Sequence, residues 1–411
     1  MKRTPIAHVV FPRPVAARPV REVVWDAVRA VAQSRALEME VLIPVPARAA
    51  RKLAGASRAL RGAAHWPEEL EEVLGALEPR PTIIPFPPIP FRSVEAAAAT
   101  VAATLIARRR AQRPALLQGA FLDEAGYIAA EAARALGVPS IASAPGTDVR
   151  VARGLEREAA ALGGVSPPAG AIASYSASGK GRRAKTTLAH ASRILAVSHE
   201  LRSEIGLLGR SAHVVRYTAD AERFPLRSAA QSGPPVLLFV GRLSRMKGLD
   251  LLLDAFSRLE NKAIRLRLIG PSAPELDLPV LARSLGVEDR VEIVGELPQP
   301  QIAAHYQTAS LLVHPSRSEG LPCVLVEALL SGCPVVATDV GGINELISPE
   351  TGALVEPDNA EALAQAIRRA LEGQWSPASL RQRALPFSWQ ESGPALIAHT
   401  LELIGVTEDE A

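Results

Sequence analysis

Only two cysteines occur in the 411 residues, Cys323 and Cys333, and they form no CxxC spacing. That excludes a disulfide framework and a cysteine-based zinc site, and the expected surroundings are a reducing cytoplasm. Aromatic residues amount to 4%, too few for the stacking platform that single-stranded nucleic acid uses. No stretch approaches the ~20 consecutive apolar residues of a membrane-spanning helix. The apolar run Ile6–Phe11 is interrupted by His8 and stopped by Pro12, so it reads as a first buried strand rather than a signal-peptide core. The eight histidines are scattered without helical metal-ligand spacing, and no Asp-x-Asp triplet occurs, so no metal is expected. What is present is a globular balance, with 48% hydrophobic and 22% charged residues. The length points to two or three domains.

A net charge of +3 hides an asymmetry: the first 230 residues hold 32 Lys and Arg against 20 Asp and Glu, the remainder 14 against 23. Opposite signs suggest two domains with different partners. The basic clusters are Arg108, Arg109, Arg110 and Arg113, and then Lys180, Arg182, Arg183 and Lys185. They read either as a solvated helix end and a surface loop, or as attraction to an anionic lipid surface or a phosphorylated acceptor.

Apolar runs of four to seven residues alternate with helical stretches. Ile6–Phe11, Val41–Val45, Ala115–Leu117, Ile194–Val197, Val236–Val240, Leu266–Ile269, Leu311–Val313 and Val335–Ala337 read as strands. Continuous apolar strands alternating with helices predict parallel sheets covered on both faces. Leu249, Leu252, Leu253, Phe256 and Leu259 share a helical stripe, as do Ala360, Leu363, Ala364, Ile367 and Leu371. The second of these helices opens after Pro357-Asp358-Asn359 and closes at Gly373. Gly163–Arg183 reads as a long loop, Pro85–Phe91 as a stiff acceptor-side loop or a plain surface loop, and Ser228–Pro235, where the charge changes sign, as the domain boundary. The expected fold is α/β, with two doubly wound domains facing across a cleft and ligands at the carboxyl ends of the strands.

Three turns of the second half converge on chemistry. Gly241-Arg242-Leu243 follows a strand directly, and Lys247-Gly248 precedes a helix. An arginine fork and a lysine point charge suit a diphosphate, although a surface turn with two ordinary cations reads the same way. Glu319-Gly320-Leu321-Pro322 opens another helix, with Pro322 in its first turn and free amides for a phosphate. Glu327 lies eight residues on, which on a helix is about 12 Å and ~80° away. The pair suits a sugar diphosphate, one carboxylate on each polyol, or else a dipole-favoured charge and an exposed glutamate. Val340-Gly341-Gly342 makes a third glycine turn. His314, at a strand end, reads as structural or else as lining the cleft, and the two cysteines as small core residues.

The run His314–Ile347, HPSRSEGLPCVLVEALLSGCPVVATDVGGINELI, resembles the signature of retaining glycosyltransferases of family 4, which have the GT-B fold. VGRLSRMKGLDLLLDAF (Val240–Phe256), VGELPQPQIAAHY (Val294–Tyr306) and FSWQ (Phe387–Gln390) match as well. The resemblance implies that Glu319 binds donor-sugar hydroxyls, Glu327 the ribose, and Arg242 and Lys247 the diphosphate. It places Gly241, Gly320 and Leu321 at the donor and the loop Gly295–Leu297 near the nucleobase, and it sends a final helix after Trp389 back to the first domain. The implied domains are 1–228 on the acceptor side, 229–386 for the donor, and 387–411 as that helix. In the first domain Gly146-Thr147-Asp148-Val149 is similar to a family loop, which makes Gly146 and Asp148 candidate contacts, and Ile194–Ser198 is similar to the strand before the hinge. Three features depart from the family: Phe11-Pro12-Arg13-Pro14 has no glycine, Pro145 stands where a histidine is usual, and Tyr217-Thr218 stands where Asn-Gly is usual.

The expected activity is transfer of a sugar from a UDP- or GDP-sugar to a hydroxyl acceptor with retention, by front-face attack. No cofactor is expected. The setting would be polysaccharide or glycolipid assembly, cytoplasmic or peripheral at the inner membrane face through the basic first domain, with a lipid-linked acceptor and no nucleic acid. The altered first domain leaves two other readings: a nucleotide-sugar-binding protein with weak or lost activity, and a nucleotide-sugar epimerase of the same fold.

Overall fold

The computed structural model describes residues 4–9, 37–46, 82–86, 94–108, 113–153, 179–216, 219–227 and 233–405. The loops at 11–18, 87–91 and 217–218, Arg109, Arg110, residues 163–178 and most of the expected boundary lie outside these. The chain divides into two compact units, residues 1–215 with 393–411, and residues 216–392.

Among the described residues the first unit holds seven parallel strands: β1 (Thr4–Val9), β2 (Leu37–Pro46), β3 (Thr82–Phe86), β4 (Leu117–Gly119), β5 (Ser140–Ala144), β6 (Arg193–Ala196) and β7 (His213–Val214), in the order β3-β2-β1-β4-β5-β6-β7. Its described helices are α1 (Val94–Ile106), α2 (Ala125–Leu136), α3 (Thr147–Arg153), α4 (Lys180–His190) and α5 (His199–Leu207). Apolar faces of α1 and α2 meet Leu117 of β4 in one core. The second unit holds β8 (Val236–Val240), β9 (Arg265–Ile269), β10 (Val291–Gly295), β11 (Leu311–His314), β12 (Val335–Thr338) and β13 (Gly352–Val355), all parallel, in the order β10-β9-β8-β11-β12-β13. Its helices are α6 (Leu249–Ser257), α7 (Leu278–Ser284), α8 (Gln299–Thr308), α9 (Cys323–Leu330), α10 (Ala360–Glu372) and α11 (Pro377–Ala384), and α12 (Trp389–Ile404) runs from this unit into the first.

The apolar runs of the second unit become its central strands because both sheet faces are covered: Leu237, Phe239, Leu266, Leu268, Leu311 and Val313 form one core with the stripes of α6 and α10. Asn359 caps α10 by accepting the amide of Ala362 at 2.9 Å, as the cap residue predicts.

Four expectations need correction. Lys180–Arg183 is not loop but the first turn of α4. The turn is held by tertiary contacts rather than by propensity: buried Arg183 donates to the Asp123 carbonyl at 3.1 Å and Thr187 to the Leu122 carbonyl at 2.6 Å. Pro85 and Phe86 end β3, an edge strand, where a missing amide donor is tolerated. Pro322 precedes α9 in an extended conformation, φ −71° and ψ 122°, instead of lying in its first turn. The division falls at residue 216 rather than 228, because residues 219–227 pack on the second unit: Arg381 donates to the carbonyls of Ala221 and Phe224 at 2.9 and 2.6 Å, and Arg227 to that of Ala309 at 3.2 Å.

Candidate functional site

In the second sheet the winding direction reverses between β8 and β11, which lie side by side. Loops leaving their carboxyl ends run to opposite faces, and the crevice between them is where such sheets bind ligands. The loop after β8 (241–248) and the loop after β11 (315–322) are tied by the Arg317 amide donating to the Met246 carbonyl at 3.0 Å. The turn after β12 joins them, with the Gly342 amide donating to the Gly320 carbonyl at 2.7 Å. Two glycines permit these approaches. Gly248 has φ +71°, and a Cβ there would lie 1.9 Å from the Pro315 carbonyl oxygen; Gly341 has φ +63°, and its Cβ would lie 2.3 Å from that of Glu319.

At this junction the Lys247 ammonium donates to Glu319 Oε1 at 2.5 Å, and His314 Nε2 lies 2.7 Å from the same oxygen. Glu319 is 9% exposed and His314 1%. Burial alone would raise the Glu319 carboxyl, but the Lys247 charge and the His314 hydrogen bond more than offset it and hold the group well below the ordinary carboxylate range. Arg317 fixes the same loop from outside, pairing with Asp250 of α6 at 2.9 Å and with Asp358 at 2.6 Å.

Glu327 sits on α9, buried, and accepts from the Tyr306 hydroxyl of α8 at 2.8 Å. It is therefore part of a packed helix pair and not an exposed helical charge.

Outside comparisons bear on this site. The family described as "Glycosyl transferases group 1" matches residues 220–385, which contain all of it. D-inositol 3-phosphate glycosyltransferase 1 of Catenulispora acidiphila is 33% identical over 303 residues, 66% of this chain and 69% of that protein. The chain belongs to the group 1 glycosyl transferases. A putative teichuronic acid biosynthesis glycosyltransferase, TuaC of Bacillus subtilis, is 34% identical over 207 residues, 47% of this chain and 50% of its own length. Among solved structures, sucrose-phosphate synthase of Thermosynechococcus elongatus matches with a TM-score of 0.69 at 19% identity, covering 98% of this chain and all of that one. Anabaena HepE in complex with UDP-glucose matches with 0.67 at 19%, covering 97% and all of it. The fold is that of GT-B glycosyltransferases, two units each with a doubly wound parallel sheet.

Within this glycosyltransferase the structure brings Lys247 and Glu319 into contact and sets Gly241, Gly320 and Leu321 on the same laced loops. Arg242 is exposed beside Gly241, whose φ is +146°. Gly295, with φ +86°, ends β10 and its carbonyl accepts from the Gly270 amide at 2.8 Å, with half-buried Leu297 just beyond. Gly146 and Asp148 belong to the first unit. There the Asp148 carboxylate faces inward and accepts from the amides of Leu122, Gly146 and Val149 at 2.7, 3.2 and 3.0 Å. Burial, then the nearby Asp123 charge, pushes it up to about 6 against those three donors.

Sequence reasoning assigned no role to Arg317 or Tyr306 and read His314 as structural or cleft-lining. His314 alone carried a signal, since it ends the strand that leads into the Glu319 loop. The two cysteines form no disulfide, with Cys333 buried and Cys323 half-buried. Among the described residues no three His, Cys, Asp or Glu side chains form a metal-binding group, and no helix is long and apolar enough to cross a membrane.

Proposed function

We propose that this enzyme transfers a sugar from a UDP- or GDP-sugar to a hydroxyl acceptor with retention of anomeric configuration. The observation that carries the reading is the Lys247–Glu319 pair at the switch point of the second sheet, a cation and an anion set for the two halves of a sugar diphosphate. Glu319 accepts from the sugar hydroxyls, Glu327 from the ribose, and Lys247 and Arg242 with the first amides of α9 meet the diphosphate. In the reaction the bond from the anomeric carbon to the diphosphate oxygen breaks. The acceptor oxygen bonds to the same face of that carbon, and the acceptor proton passes to the leaving phosphate. Charge growing on the diphosphate is stabilised where the cations already stand. The chemistry needs no resident metal in this reading, since the sequence has no Asp-x-Asp triplet and the cations of the loops meet the diphosphate. Activity should therefore survive EDTA.

The similar proteins support the donor and acceptor classes. Anabaena HepE was solved with UDP and with UDP-glucose, and the relatives are described as acting on D-inositol 3-phosphate and in teichuronic acid biosynthesis. A polyol or growing polysaccharide hydroxyl, lipid-linked and met at an anionic membrane surface, is the acceptor we favour.

A thermal-shift panel of UDP, GDP, ADP and their sugars on wild type and Glu327→Ala tests the reading. A ligand at ~100 times its dissociation constant stabilises by about 2.7 kcal/mol. A shift with one base, weakened in the variant, is expected, followed by sugar transfer. A shift without transfer to any acceptor would favour a binding protein, and no shift with any nucleotide would overturn the donor site.

A further inference from the structure

Two donors share one oxygen of Glu319, and they are of opposite kinds. Lys247 stands on a loop, its side chain 28% exposed, and carries a full charge on a flexible four-carbon stem. His314 ends a central strand, in register with Ala337 of β12. Its ring is 1% exposed and lies parallel to Phe239 of β8, centroids 5.9 Å apart and planes 6° apart. The lysine has room to move; the histidine has none.

Among the described residues Nδ1 of His314 has no hydrogen-bond partner. An imidazolium would bury an N–H without an acceptor, so the neutral ring with its proton on Nε2 fits the site. In that form His314 gives Glu319 a directed donor through Nε2.

We infer that His314 is a positioning residue that holds Glu319 in place while Lys247 turns from that carboxylate to the donor diphosphate. The inference rests on the donor-binding reading above. Without ligand, the Lys247 ammonium neutralises Glu319. A diphosphate offers the ammonium a more highly charged partner, and as it turns, the His314 hydrogen bond keeps the carboxylate from swinging after it. Glu319 then meets the sugar hydroxyls as an anion relieved of its cation and accepts from them more strongly. Capture of the diphosphate and capture of the sugar are thus coupled through one oxygen.

Two substitutions in the full chain separate this role from simple packing. His314→Phe keeps a planar ring against Phe239 and deletes the donor, whereas His314→Gln restores an N–H at about the depth of Nε2. In calorimetry His314→Phe should bind UDP within about threefold of wild type but UDP-glucose at least ~10-fold more weakly, the size of one lost charged hydrogen bond. GDP and GDP-mannose serve where wild type prefers guanine. Its kcat should fall further than that, and the acid limb of its pH profile should move upward, because one of the groups holding the Glu319 carboxyl down is gone. His314→Gln should recover most of each loss. Equal loss of UDP and UDP-glucose affinity would overturn the inference, and so would a His314→Gln enzyme as impaired as His314→Phe at unchanged Tm. If wild type binds neither nucleotide nor nucleotide sugar, the donor reading itself fails. The clamp is then judged without ligand by a double-mutant cycle of His314→Phe and Glu319→Gln on unfolding, where zero coupling would sink it.

Discussion

Tyr306 and Glu327 close a buried hydrogen bond between two consecutive helices, the phenol donating to Oε2 at 2.8 Å with the two residues 0% and 6% exposed. Burial first, and then the adjoining Glu327 charge, push the phenol well above its ordinary pKa of 10.0, so it stays a donor throughout the physiological range. Tyr306→Phe removes that donor and leaves the carboxylate in the same apolar surroundings. The expected cost is about 1–3 kcal/mol of stability, read by urea unfolding. Nucleotide affinity should fall with it if Glu327 binds the ribose as proposed, because the phenol no longer orients that carboxylate. Full affinity in a destabilised variant would assign Tyr306 to the core alone.

Glu319 makes stability depend on pH in a definite direction. Its carboxyl is held below the ordinary value of 4.5 in the folded chain, so the unfolded chain takes up the proton first as acid is added. The contribution of the Lys247–Glu319–His314 cluster is therefore complete above about pH 5 and is lost as the pH falls through 4.5 toward the folded value. Denaturant titrations between pH 3 and 7 should show wild type losing stability on the acid side relative to Glu319→Gln. Parallel curves for the two proteins would mean that the carboxyl titrates normally.

The central strands β8, β9, β11 and β12 and the three turns were legible because their signals are local, whereas β3, β5, β7, β10 and β13 were not read as strands. An apolar run such as Val236–Val240 declares a strand covered on both faces, and a glycine at its end declares a turn that side chains cannot make. The pairings that give the site its charge balance were not legible. Lys247 and Glu319 are 72 residues apart and Tyr306 and Glu327 21 apart, on different elements, so no periodicity records them. The start of α4 was hidden for a related reason: its glycine and threonines are weak helix formers, and contacts with Asp123 and Leu122 supply what propensity lacks. The charge reversal near residue 230 reports surface composition, whereas the division of the chain follows the packing of residues 219–227.

Gly248 and Gly286 share the left-handed region, φ +71° and +63°, but differ in their surroundings. Gly286 faces open space, so Gly286→Ala should cost only the conformational term, about 1 kcal/mol. At Gly248 the new Cβ meets the Pro315 carbonyl oxygen at 1.9 Å, and backbone must move. Gly248→Ala should cost several times as much and abolish nucleotide binding, because the displaced turn carries Lys247 away from Glu319. Urea midpoints of the two variants, with UDP titrations on each, decide the point. Similar costs at the two sites would show that the loops after β8 and β11 are not locked together.

Asp148 titrates in the sense opposite to Glu319. Its carboxyl rises on folding from 3.8 to about 6, through burial and the Asp123 charge, against the amides of Leu122, Gly146 and Val149. The folded chain therefore binds this proton more tightly than the unfolded one. Stability from the group is gained as the pH falls from 7 toward 4 and is lost again as it rises through about 6. Asp148→Asn cannot titrate, and its second side-chain atom donates where the carboxylate accepted, so the variant carries a constant penalty at every pH. The difference in unfolding free energy should move in favour of wild type by about 2–3 kcal/mol between pH 7.5 and 4, setting in below about pH 6 with its midpoint roughly halfway between the folded and unfolded values, near 5. The amide of Leu122, which donates to Asp148 at 2.7 Å, should exchange more slowly in wild type on the acid side of that midpoint, after correction for intrinsic exchange rates. A difference that stays flat from pH 4 to 7.5 would mean that the three amides fully offset burial, leaving the turn after β4 indifferent to the charge of Asp148.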